Sequence, residues 1–137
     1  MDKQKLIEGL NADLNRELET VMRYLLEASV MVGFGGHEAR ELFQQEIADE
    51  LKHAAFLADK IVALGGTPEI KPAYPTPITD PCEALKRERD NECQAIAGYK
   101  ERVQQAEACG EIGLRVELEN LIADETRHFE ELDRLLR

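Results

Sequence analysis

A short phrase occurs twice in this chain, seventy-five residues apart. Ile47-Ala48-Asp49-Glu50-Leu51-Lys52-His53 returns as Ile122-Ala123-Asp124-Glu125-Thr126-Arg127-His128, identical at five of its seven positions. Each copy carries a Glu and a His three residues apart. A further glutamate stands 33 positions ahead of each, Glu17 before Glu50 and Glu92 before Glu125. Seven residues after those come Tyr24 and Tyr99. Four carboxylates and two imidazoles in the order Glu, Glu-x-x-His, Glu, Glu-x-x-His form the ligand set of a two-metal site inside a helix bundle.

The donor types say which chemistry this would be. Carboxylates buried together repel one another and lose their hydration, a cost that divalent cations cancel. A carboxylate-rich set with one imidazole per ion suits Fe(II) or Mn(II) better than Zn(II), which takes more nitrogen or sulfur donors. Two such ions, with open positions facing each other, can each give an electron to O2 or peroxide. A single Glu-x-x-His is weak evidence in a chain this rich in glutamate. Two copies with equal offsets to a second Glu are far more specific.

The residues around the ligands leave alternatives. Asp49 and Asp124, each just before a candidate ligand Glu, either accept the second N–H of a ligand histidine from a neighbouring helix or are solvated helix acids. Tyr24 either hydrogen-bonds a ligand carboxylate, gives up an electron, or packs. Tyr99 is read as packing, and His37, beside Gly33-Phe34-Gly35-Gly36, as a surface residue.

These side chains need helices to bring them together. Apolar residues step by three or four through about Lys3–Val32, His37–Leu64, Cys82–Cys109 and Glu111–Leu136, which predicts four long helices. Gly65-Gly66 and Gly110 mark helix ends, and Asp80 with Pro81 marks the start of the third helix. All five prolines lie between Pro68 and Pro81, so that segment is neither helix nor central strand. Short turns make antiparallel hairpins of helices one and two, and of three and four. The proline-rich segment reaches about 50 Å when extended, enough to run the length of the bundle and set helix three parallel to helix two. In an antiparallel hairpin, residues equidistant from the turn lie at one height. The turn near residue 34 bisects Glu17 and Glu50, and the turn near residue 110 falls within two residues of bisecting Glu92 and Glu125. All four glutamates are therefore expected at one level. The fold class is an all-α four-helix bundle with one long crossover, spanning 1–137 as a single domain.

Composition excludes other functions. The chain has 137 residues, 43% of them hydrophobic, enough for a single core. A net charge of −11 argues against nucleic-acid binding, which needs Lys and Arg against phosphate. That acidity either attracts metal cations or is simply a solvated surface. No apolar stretch is long enough to span a membrane, and Met1-Asp2-Lys3-Gln4-Lys5 leads straight into an amphipathic pattern, so a cytoplasmic location is expected. Cys82, Cys93 and Cys109 have no Cys-x-x-Cys spacing and are expected to be reduced thiols, Cys93 and Cys109 packed against helices. They cannot form a four-cysteine iron centre.

The sequence resembles the ferritin-like superfamily, and within it bacterioferritin. The residues carrying the likeness are Leu14-Asn15-Arg16-Glu17-Leu18 with Tyr24, Asp49-Glu50-Leu51-Lys52-His53, Glu92, and Asp124-Glu125-Thr126-Arg127-His128. The resemblance implies a ferritin-like bundle holding two iron ions, with manganese as an alternative in one or both positions. It implies Glu17 and Glu92 as terminal ligands and Glu50 and Glu125 as bridges, and ferroxidase activity: Fe(II) oxidised with O2 or H2O2 for iron storage or detoxification. Bacterioferritin takes haem through a Met directly after the first bridging Glu. That place is Leu51 here, so haem by that route is not expected. The sequence ends just after helix four, without the fifth helix that lines the family's cage channels, and a homo-oligomer, dimer or larger, is expected. Two other readings stand beside this one. One is a non-storage iron or iron–manganese oxidase or peroxidase of the rubrerythrin type, working with an external electron-transfer protein. The other is a metal-free helical interaction module.

Overall fold

A computed structural model describes residues 2–137; Met1, the first residue of the N-terminal stretch read above, lies outside them. Four helices account for most of the chain: α1 (Lys3–Val30), α2 (His37–Ala63), α3 (Pro81–Ala108) and α4 (Ile112–Leu136). Among the described residues there is no strand, and no helix is long and apolar enough to cross a membrane.

The ends follow local chemistry. Asp2 and Asp80 cap α1 and α3, their carboxylates accepting from the backbone N–H of Gln4 and Glu83. Pro81 opens α3, where a missing N–H costs nothing. Gly65 and Gly110 take φ of 92° and 75°, the left-handed conformation that lets Gly66 N–H reach the Ile61 carbonyl and Glu111 N–H the Ala106 carbonyl. Helix α1 stops at Val30, two residues before the periodicity suggested. Met31 goes extended and turns its side chain into the core, while Val32 points to solvent.

Direction is fixed by contacts between α1 and α3. Glu17 meets Tyr99, Tyr24 meets Glu92, and Glu27 meets Arg87, so residue numbers rise on one helix as they fall on the other. Helix α3 is thus antiparallel to α1 and parallel to α2, as the crossover requires. The crossover, residues 66–79, runs beside α1 and is pegged to it by side chains. Asn11 bonds the backbone of Thr67 and Glu69, Asn15 that of Glu69 and Lys71, and Glu19 the N–H of Ala73. The rhythm has a geometric cause: four helical residues rise about 6 Å, the reach of about two extended ones. The pegs satisfy backbone groups that a strand partner would otherwise take.

The core is not the one continuous body expected from composition. One apolar cluster holds Leu6, Leu10, Leu14, Leu57, Ile61, Leu114 and Leu118. A second, at the other end of the bundle, holds Tyr24, Met31, Phe43, Leu85 and Leu132. Between them lies a layer of carboxylates and imidazoles. Each fully buried leucine in the clusters contributes about 1.5–3 kcal/mol, which offsets the cost of burying that layer. Of the cysteines, Cys82 and Cys93 are exposed, contrary to the packing expected for Cys93. Its neighbour Glu92 takes the inward direction, which turns Cys93 outward. Cys109 is half-buried against the first cluster.

Candidate metal centre

The buried layer consists of the residues singled out by the repeat. Glu17 on α1, Glu50 and His53 on α2, Glu92 on α3, and Glu125 and His128 on α4 are each at most 4% exposed. Each helix presents its ligand-type residue inward at a step of three or four from its apolar neighbours, as in Leu14–Glu17 and Leu121–Glu125. The donor atoms form two groups, each within 4.8 Å: Glu17, Glu50, His53 and Glu125, and Glu50, Glu92, Glu125 and His128. Glu50 and Glu125 belong to both groups, and the other residues to one each. The geometry is reciprocal. His53 Nδ1 lies 2.7 Å from Glu125 and His128 Nδ1 lies 2.7 Å from Glu50, with ring centroids 6.3 Å apart.

Behind the ring the reciprocity continues. His53 Nε2 is 3.0 Å from Asp124 on α4, and His128 Nε2 is 3.2 Å from Asp49 on α2. Arg127 donates to both aspartates at 3.2 Å. Tyr24 donates its hydroxyl to Glu92 at 2.9 Å, and Tyr99 donates to Glu17. Tyr99 therefore does more than pack; it is the two-fold counterpart of Tyr24. His37 is on the surface, its side chain 69% exposed and 3.8 Å from Glu41.

The residue that sequence reading missed is Glu46, buried beside the outer nitrogen of His128. A signal was available, since Glu46 is four residues before Glu50 and shares its helix face. It escaped because its repeat counterpart is Leu121.

Burial is the leading influence on titration here. It pushes the carboxyls of Glu50 and Glu92 well above the usual range, with Glu17 adding to the effect at Glu50 and Glu125 at Glu92. At Glu125 burial is outweighed: the adjacent Glu92 carboxyl and the two imidazoles hold it well below the usual range. Burial opposes a charged His53, yet the Glu125 and Glu17 carboxylates raise it to about 10. His128 is raised further, against its burial, by Glu125, Glu46 and Glu50. Burial and the neighbouring glutamates keep both tyrosines protonated, as their role of donor requires. The layer thus retains protons where it lacks other positive charge. Several of its atoms, among them Glu17 Oε2, Glu92 Oε2, both Glu125 oxygens and both Nδ1 atoms, crowd together without a partner in hydrogen-bonding geometry among the described residues. Buried orphan donors of these types, converging on one point, fit a pair of divalent cations with oxygen preference.

The model of the ferritin-like domain family matches residues 7–137, and the chain belongs to the ferritin-like family. The bacterioferritin of Streptomyces coelicolor is 27% identical over 130 residues, 94% of this chain and 78% of that protein. Among solved structures, a ferritin-like di-iron-carboxylate protein of Bacillus anthracis is 41% identical with a TM-score of 0.94, both chains covered in full. The dodecameric thioferritin of Bacteroides fragilis, a bacterioferritin-related protein, is 25% identical with a TM-score of 0.90, covering 99% of this chain and 86% of that one.

Proposed function

We propose that this protein is a ferroxidase of the bacterioferritin kind, oxidising Fe(II) to Fe(III) with O2 or H2O2 at a dinuclear centre within the bundle, for iron storage or detoxification. Family membership and the bacterioferritin relatives support the coarser statement, an iron-related oxidoreductase of the di-iron type. The finer one rests on a single observation: two ligand sets related by a two-fold axis, sharing Glu50 and Glu125, in a layer sealed by apolar clusters.

In this reading Glu17 and Glu92 would be the terminal ligands, Glu50 and Glu125 would be shared between the ions, and His53 and His128 would bind through Nδ1. Two Fe(II) ions so held would supply one electron each to the oxidant and become Fe(III). The protein does the positioning. Asp124 and Asp49 accept the Nε2–H of the imidazoles, which leaves each Nδ1 free to bind. Tyr24 and Tyr99 fix the terminal carboxylates by donating to them. Protons retained by the layer leave as the cations enter, so metal affinity falls as pH falls. The same donors accept manganese in one or both positions. Leu51, half-exposed on α2, offers no sulfur to a haem iron. The dodecameric neighbour supports a homo-oligomer.

Aerobic Fe(II) oxidation tests the proposal. Glu50→Ala and Glu125→Ala each remove a bridge from both ions, and rapid oxidation should be lost in each. Oxidation at the wild-type rate in either variant refutes the site. Uptake of many irons per chain supports storage, whereas uptake that stops at two supports a non-storage oxidase.

A further inference from the structure

The repeat matches every ligand, both tyrosines and both aspartates; among the buried groups of the layer one position breaks it. Position 46 is Glu, and its counterpart seventy-five residues on is Leu121. Both residues are buried, 8% and 7% exposed. The carboxylate of Glu46 contacts Nε2 of His128 and completes a group with Asp49 and His128 whose donor atoms lie within 4.8 Å of one another. In the other half Leu121 belongs to an apolar cluster, and among the described residues Asp124 is the carboxylate paired with Nε2 of His53. Asp49 and Asp124 match each other, and Arg127 lies 3.2 Å from both, so neither distinguishes the halves. Glu46 does.

Building on the dinuclear reading, we infer that Glu46 makes the two cation positions unequal, so that the Glu92–His128 position binds a divalent metal more tightly and fills before the Glu17–His53 position. Two physical effects act in the same direction. A carboxylate at the outer N–H of a ligand imidazole makes the inner nitrogen a better donor. A buried negative charge close to one position also favours a cation there over its twin. Changing such a supporting group alters metal affinity about 10–100-fold. Glu46 is a positioning residue, acting on the metal through His128.

Cobalt(II) without oxygen tests this independently of turnover. Crystals of the wild-type protein given one equivalent per chain should show anomalous occupancy about three to ten times higher at the Glu92–His128 position, because at that loading the occupancy ratio is the square root of a 10–100-fold affinity ratio. Glu46→Leu puts into the first half what the second half already holds, and should bring the two occupancies close to equality. In solution the same change should weaken the first cobalt about tenfold. Glu46→Gln keeps the volume without the charge and should act in the same direction should the leucine variant fold poorly. Equal occupancy in the wild type overturns the inference and leaves the dinuclear reading standing, as does a bias that survives both substitutions. Cobalt in neither position sinks the dinuclear reading and this inference with it.

Discussion

The two-fold relation between the hairpins holds for the six clustered glutamates and histidines and fails on the α1–α3 face to either side of them. Asp13 and Glu88 are repeat counterparts, as are Glu27 and Arg102. At one end of the bundle Asp13 meets Arg102, whose Nε and Nη2 donate to the two carboxylate oxygens at 2.7 and 3.1 Å. At the other end the equivalent contact is Glu27 against Glu88, two fully buried carboxyls. Arg23 donates to both oxygens of Glu88 at 3.0 Å, and Arg87 donates to Glu27 at 3.1 Å through Nε. Burial, then Glu88, still raises the Glu27 carboxyl to about 9. The same positions thus solve charge burial in two ways, one by an opposite charge and one by added arginines and a held proton. A pair of cations of the kind proposed requires matched ligands. Charge burial only requires compensation, so it is free to diverge.

The largest effect expected on this face comes from Arg102→Met, which leaves Asp13 buried with Arg16 as its remaining cation, at a cost of about 3 kcal/mol in urea unfolding of the metal-free protein. Arg23→Met should cost less, because the proton held by Glu27 leaves less uncompensated charge at this end; equal costs would break the contrast between the ends. For the groups that both halves of the layer share, the contrast should vanish. Tyr24→Phe and Tyr99→Phe each remove one hydroxyl from a terminal carboxylate and should weaken metal binding alike, about tenfold by calorimetry. A tenfold loss in the first with none in the second would return Tyr99 to simple packing. The smallest effect is that of Glu27→Gln. The folded protein holds a proton here that the unfolded chain releases, so this group's contribution to stability falls as pH rises from about 4.5 to about 9. Between pH 6 and 9 the variant's Tm should therefore decline less than that of the wild type, with little difference at the acid end.

The metal layer was legible because an antiparallel hairpin converts equal distance from a turn into equal height. Glu17 and Glu50 declared themselves by their offsets before any contact was known. The polar flanks were not legible. Asp13, Glu27, Glu88 and Arg102 look like surface charges in sequence, and their partners lie 60 to 89 residues away, across a boundary only the crossover brings together. The pegs Asn11, Asn15 and Glu19 were hidden for the same reason, since nothing local tells a helix surface that a proline-rich segment will lie on it. The divided core follows from the layer itself. Once six polar residues share one level, apolar packing can continue only above and below it. Glu46 was within reach of sequence reasoning, but a search for what repeats passes over what does not.

Anomalous scattering at the iron and manganese edges, on crystals loaded with Fe(II), tests the central claim most directly. Two metal peaks per chain are expected in the buried layer, both touching Glu50 and Glu125, with Glu17 and His53 on one and Glu92 and His128 on the other. A layer without metal, or a lone ion bound away from Glu50 and Glu125, would contradict the account.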